Sequence, residues 1–181
     1  MKIVHGRPAA MEGRQNKEIR TYDLLDSLQI QYWTCDHAPA YTMDDCLAVD
    51  RMLETRMCKN IFLCNRQKTA FFLLLMPDDK PFRTKQLSQQ LNTSRLSFAD
   101  GSDMESLLDI SPGALSLFGL MNDVDKRVQL IVDEDLLDDA FIGCHPCVNT
   151  SSVKITVNDA FGPFLEATQH TLIPVHLTDE N

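Results

Sequence analysis

The chain has 181 residues, of which 44% are hydrophobic and 24% charged, and a net charge of −9. That length suits one domain with a sizeable core, and the composition is that of a soluble globular protein. The acidic balance excludes a generic nucleic-acid binder held by overall charge, and no apolar run approaches the roughly 20 residues of a membrane helix.

In chain order, residues 1–15 read as a polar lead-in without a signal-peptide core, expected to be loosely ordered. Asn16 is placed to cap a helix to about Leu28, with Ile19, Tyr22, Leu25 and Leu28 at helical spacing. "IQYWTCDH" reads as a strand. Thr42 with Asp45 resembles a capping box for a helix to about Glu54. "NIFLCNR" and "TAFFLLLMP" read as two strands of a hairpin joined through Gln67 and Lys68. A short helix is expected near Thr84–Leu91, a short strand at "RLSFA", and a helix capped by Ser102 with Glu105 that ends before "SPG". "RVQLIVD", "DAFIGCH" and "VKITVND" read as strands. A last helix is expected from Ala160 to about Thr168, and "TLIPVHL" closes the chain as a strand. No regular βαβ repeat appears, so the pattern predicts a single α+β domain over residues 16–181, built on a largely antiparallel sheet with short flanking helices.

Charge is unevenly spread. Residues 51–85 carry eight Lys/Arg (Arg51, Arg56, Lys59, Arg66, Lys68, Lys80, Arg83, Lys85) against three acids, a balance of +5; residues 86–181 carry four against fifteen, −11. A mixed, solvated surface or a local site for an anionic ligand both fit. Six cysteines stand at 35, 46, 58, 64, 144 and 147, mostly inside apolar patterns, and read as reduced thiols of a cytoplasmic protein. "GCHPCVN" (143–149) has the spacing of a redox pair or half a zinc site. A redox pair needs a helix after it to depress the thiol pKa, but "VNTSSVKITV" follows, a turn and then a strand. Zinc needs a second ligand pair, and His5, His37, His170 and His176 are scattered. No metal or other cofactor is expected.

Three stretches read together: "CKNIFLCNRQK" (58–68), "SPGALSLFGLMND" (111–123) and "GCHPCVNTSSVKI" (143–155). With "HAPAYTMDD" (37–45) and "RLSFAD" (95–100), the chain resembles the free-standing prolyl-tRNA synthetase-associated editing domains, within the aminoacyl-tRNA deacylase family. The resemblance covers about residues 16–178 and implies a compact domain with a curved, mostly antiparallel sheet. It also implies a function, the hydrolysis of alanine from mischarged alanyl-tRNA(Pro), with the tRNA acceptor 3′ end as partner and prolyl-tRNA synthetase as a second one. A deacylase for a seryl or cysteinyl group, and a non-catalytic module that binds tRNA or a synthetase, are the alternatives.

The same resemblance implies site residues. Lys59, Gly113 and His145 match the positions that carry catalysis: a lysine that holds the tRNA 3′ end, a glycine loop shaping the acyl pocket, and the "xHP" loop beside it. Asn60, Arg95, Ser97, Ser116, Gly143 and Pro146 match positions that border or support the substrate. The family has proline where this chain has Leu117, which bears on loop rigidity and acyl selectivity. Cys144 and Cys147 are not family features.

From the residues themselves, hydrolysis of an aminoacyl ester develops an oxyanion that backbone N–H groups can stabilise. Gly113, Gly119 and Gly143 would let backbone approach a ligand. No GxSxG elbow is present. Cys58 beside Lys59 would face the opposite side of a strand, which weakens a thiol nucleophile. The resemblance also implies that His145 bonds its loop and positions substrate rather than acting as a general base, and Asp44 and Asp45 read as helix-capping acids.

Overall fold

The computed structural model describes residues 2–39 and 43–178, and for 43–47 the backbone only. Nine strands form two sheets: β1 (Ile3–His5), β2 (Tyr32–Asp36), β8 (Ser151–Thr156) and β7 (Phe141–Cys144) in one, and β5 (Ser97–Phe98), β3 (Lys59–Cys64), β4 (Phe71–Met76), β6 (Val128–Asp133) and β9 (Leu172–Val175) in the other. The four-stranded sheet is antiparallel throughout. In the five-stranded sheet β5–β3–β4 are antiparallel, and β6 and β9 run parallel to β4. The α+β class stands, with two mostly antiparallel sheets where one was expected. Gly143 joins them: its N–H donates to the Arg56 carbonyl and its carbonyl accepts from the Cys58 N–H, both at 2.9 Å.

"FFLLLM" explains the layering. Every residue of β4 is buried, so both faces of the five-stranded sheet are covered. One face packs against the four-stranded sheet through Phe62, Leu73, Leu130, Val153 and Ile155, with α1 (Asn16–Ser27) contributing Tyr22 and Leu25. The other buries Leu63, Leu74 and Ile131 beneath Leu87 of α3 (Thr84–Gln90). α2 (Met43–Leu53) covers Cys35 with Val49 and Leu53.

Several expectations are corrected. Residues near the N-terminus are tied down: β1 pairs with β2, and the Arg14 guanidinium bonds Asp36 at 2.6 Å and also Glu18. The helix cap at residue 102 sits two residues earlier. Asp100 and Asp103 form the capping box of α4 (Gly101–Leu108), because Asp accepts the same N–H groups that Ser and Glu would. α1 is preceded by Gln15 as its cap and not by Asn16. The last helix is two, α6 (Val157–Phe161) and α7 (Pro163–Thr168), broken at Gly162, where Pro163 cannot continue the ladder but suits the first position of a new helix. α5 (Glu134–Leu137) and a 3-10 helix over Leu117–Asn122 were not expected. The proposed cap at Thr42 and Asp45, and the side chains of Asp44 and Cys46, lie outside the described residues.

Candidate functional site

β3 carries the site, at the place where its neighbour stops. β5 pairs only with Leu63 and Cys64, and the Ala99 N–H reaches the Phe62 carbonyl at 3.0 Å. On the same edge, the Cys58 N–H is held by Gly143 of the other sheet. Main-chain groups alternate sides along a strand, so the Asn60 N–H and C=O point out between these two attachments, into a gap in the ladder. A cleft of about 340 Å³ opens there. Cys58, Asn60, Ile61, Phe62, Phe98, Ala99, Met104, Pro112, Gly113, Leu115 and His145 line it.

Asn60 is held by its own neighbour: Nδ2 donates to the Cys58 carbonyl at 2.8 Å. That bond fixes the amide's orientation, and it leaves Oδ1 buried with no hydrogen-bond partner among the described residues. An unsatisfied buried acceptor costs roughly 1–3 kcal/mol, which marks Asn60 as a candidate contact for a donor from outside the chain.

His145 sits opposite, and its tautomer follows from its neighbours. Nδ1 lies 2.9 Å from the Ser151 carbonyl, which can only accept, so Nδ1 carries the proton. The Ser152 hydroxyl stands 3.2 Å from Nδ1 and 2.9 Å from His37 Nε2, and His37 Nδ1 is 2.8 Å from the Ala38 carbonyl. One assignment satisfies all of these: His37 donates to Ala38, Ser152 donates to His37, and the His145 Nδ1–H is shared between the Ser151 carbonyl and the Ser152 hydroxyl. The Nε2 lone pair of His145 then has no protein partner among the described residues. Burial, with a smaller contribution from His37, lowers the His145 pKa below 6.5, so the ring is neutral.

Gly113 stands at the rim with φ +93°, and a Cβ there would meet only Asn149 Nδ2 at 3.8 Å. Its backbone conformation, not crowding, calls for glycine. Gly143 and Gly119 differ. A Cβ at 143 would lie 2.4 Å from Met57 Sδ and 3.2 Å from the Arg56 carbonyl; one at 119 would lie 2.6 Å from Ile110 Cδ1. Both glycines serve protein packing and neither lines the cleft.

The other expected site residues scatter. Lys59 occupies the opposite face of the pleat from Asn60, with Nζ donating to the Lys80 carbonyl at 2.6 Å. Ser116 is fully buried, and its hydroxyl caps the 3-10 helix by accepting from the Phe118 N–H at 3.2 Å. Leu117 follows as the first residue of that helix, a position where proline is also at home, and fills the core. Pro146 is buried behind the His145 loop. Arg95 is exposed and lines a separate groove with Arg66 and Ser97, and Ser97 is exposed on β5, 3.9 Å from Cys64 Sγ. Cys58, Cys144 and Cys147 are free thiols; the Cys144 contact and burial hold Cys58 well above 9, and burial pushes Cys147 up to about 12. Neither Cys58 nor Cys147 is a ready thiolate. Among the described residues no cluster of His, Cys, Asp and Glu could hold a metal. His37, Ser152 and Phe98 were missed. "HAPAY" and "NTSSV" were the signals for the first two, since both belong to the blocks that carried the resemblance.

The model of the aminoacyl-tRNA editing domain matches residues 37–161. The chain is 28% identical over 135 residues to "Prolyl-tRNA editing protein ProX" of Acetoanaerobium sticklandii, covering 75% of this chain and 82% of that protein. It is 26% identical to "Prolyl-tRNA synthetase associated domain-containing protein 1" of Xenopus laevis over 92% of this chain and 99% of that one. A solved structure proposed to be a trans-editing enzyme for prolyl-tRNA synthetase has the same fold, with a TM-score of 0.68 at 11% identity, covering 92% of this chain and all of that one.

Proposed function

The chain belongs to the aminoacyl-tRNA editing domain family, and from that premise we propose that it is a free-standing deacylase that removes alanine from mischarged tRNA(Pro). The observation that carries this reading is the unfilled acceptor Asn60 Oδ1, set beside outward-facing main-chain groups in a cleft otherwise walled by Ile61, Phe62, Met104, Pro112 and Leu115. An aminoacyl ester supplies what that arrangement lacks. Its ammonium donates to Asn60 Oδ1, and its small side chain lies on the apolar wall. Its carbonyl oxygen faces the Asn60 and Gly113 N–H groups, which strengthen their hold as negative charge develops on it.

Water attacks the carbonyl carbon, the tetrahedral oxyanion collapses, and the bond to the ribose oxygen breaks. The leaving oxygen takes a proton, and free alanine and deacylated tRNA are the products. The neutral His145 accepts a hydrogen bond from a ribose hydroxyl or from the attacking water through Nε2, while its Nδ1–H bond to Ser151 holds the ring still. The vicinal hydroxyl of the ribose helps to activate the water. The protein's main contribution is position. Lys59, on the outer face of β3, is the proposed contact for a phosphate of the 3′ end, exchanging its Lys80 carbonyl for that charge. Arg95 and Ser97 support the wall formed by β5. Docking on prolyl-tRNA synthetase and a cytoplasmic location go with the same reading.

The direct test mixes excess protein with alanyl-tRNA(Pro) and follows release of alanine. Accelerated release is expected; a rate equal to spontaneous hydrolysis overturns the reading.

A further inference from the structure

We propose that Phe98 is the stacking platform for the terminal nucleobase of the RNA, a subsite contiguous with the acyl cleft. The inference rests on the deacylase reading above and adds the place where the nucleoside lies. Three large hydrophobic residues are exposed among those described: Ile3, Val124 and Phe98. Phe98 alone is aromatic and alone lines the cleft; it is 65% exposed. An exposed phenyl ring in a two-residue strand stabilises the fold little. It is nevertheless held in place, since Phe82 packs edge-to-face against it at 6.2 Å between centroids and β5 is hydrogen-bonded to β3. A rigid ring with a free face is the form in which proteins present a base-stacking surface, because every base has a π-face to match it.

The surroundings give the ring a direction. Beyond Phe98, away from Asn60, β5 leads into a groove lined by Arg66, Gln67, Ser94, Arg95, Leu96 and Ser97. Among the described residues no ion pair or hydrogen bond is seen for the Arg66 and Arg95 side chains, although the chain as a whole has a net charge of −9. An acyl group at Asn60, a base on Phe98 and phosphates toward Arg95 and Arg66 form one path for an RNA 3′ end. Among these groups Phe98 is the exposed aromatic ring that lines the cleft, and it recognises the base by its face.

The test compares wild type, F98A and F98W in single-turnover deacylation of alanyl-tRNA(Pro) across enzyme concentrations. A stacked base lost should raise the half-saturating concentration about tenfold in F98A while the plateau rate stays within about twofold, and F98W should restore wild-type saturation. Unchanged saturation in F98A, or a fall in plateau rate alone, overturns the proposal. A second measurement does not depend on turnover. In F98W, 3′-alanylamido-3′-deoxyadenosine should quench the added indole's fluorescence relative to the wild type, whose single tryptophan is Trp33; no quenching overturns the proposal as well. Absence of deacylation by the wild type, with quenching intact, would instead remove the deacylase reading and leave the nucleoside subsite.

Discussion

Asn60 and Lys59 are neighbours with opposite outlooks, and their replacement should separate two kinds of loss. Asn60→Ala removes the side-chain acceptor proposed for the ammonium. A hydrogen bond to a charged group is worth about 1.5–3 kcal/mol, so kcat/KM should fall about 10- to 150-fold. Lys59→Ala removes a cation outside the cleft and should raise the half-saturating tRNA concentration while sparing the plateau rate. Circular dichroism would check that both remain folded. Wild-type kinetics in either variant would remove that residue from the account. His145 makes a pH prediction. Burial lowers its folded pKa below 6.5, so the stability it contributes is present above 6.5 and is lost as pH falls through the depressed folded value. Its Nε2 acceptor disappears over the same range. Deacylation should therefore be flat from about pH 8 to about 6.5 and fall only in more acid solution. A pH–rate profile that already falls steeply between about 8 and 7 would contradict a neutral, buried His145. The family resemblance implied positioning for His145, but not its means. The bond to Ser151 spans a turn that no periodicity encodes.

Gly143 does its work at the scale of elements. It clasps β7 to the Arg56–Cys58 segment, and so fixes where β3 begins and how far the Asn60 gap opens. Gly143→Ala would set a Cβ 2.4 Å from Met57 Sδ and 3.3 Å from Met57 Cα. Overpacking of that kind costs about 1–3 kcal/mol, and denaturant titration should show it, with activity falling as the clasp is pushed apart. Unchanged stability would mean that the two sheets adjust freely, against the picture of a rigid joint. The β3–β4 hairpin was legible because "NIFLC" and "FFLLLM" are unbroken apolar strands flanking a polar turn. The parallel placement of β6 and β9 was not, since a strand's direction is set by what it packs beside and not by its own residues. β1 was missed because three residues carry too little pattern, and its order comes from β2 and from Arg14. The 3-10 helix at Leu117 was hidden for a related reason: its Ser116 cap, read as a substrate contact, faces inward.

For the whole molecule, the chain is acidic, and within its +5 segment Lys68 and Lys80 are already ion-paired with Asp100, Asp103, Asp133 and Asp135. Few phosphates can be neutralised there, and each contributes about 0.7–0.9 to the slope of log affinity against log salt. A slope matching only a handful of contacts is expected for tRNA; one matching a grip on the entire tRNA body would contradict it. The apolar walls of the cleft also bear on selectivity. On the proposed reading the alanyl side chain lies beside Ile61, Phe62 and Leu115. A glycyl group forgoes a methyl contact worth about 0.8 kcal/mol, and a seryl hydroxyl finds no partner on that wall. The bulkier ring of proline, fused to its own nitrogen, meets overpacking of about 1–3 kcal/mol per intruding group. The measurement that tests the central claim most directly is single-turnover hydrolysis of four aminoacyl-tRNAs by the wild-type protein: alanyl, seryl, glycyl and prolyl. The account predicts that alanyl-tRNA is cleared first, seryl and glycyl much more slowly, and that prolyl-tRNA resists. Rapid loss of prolyl-tRNA, or a clear preference for seryl over alanyl, would contradict it.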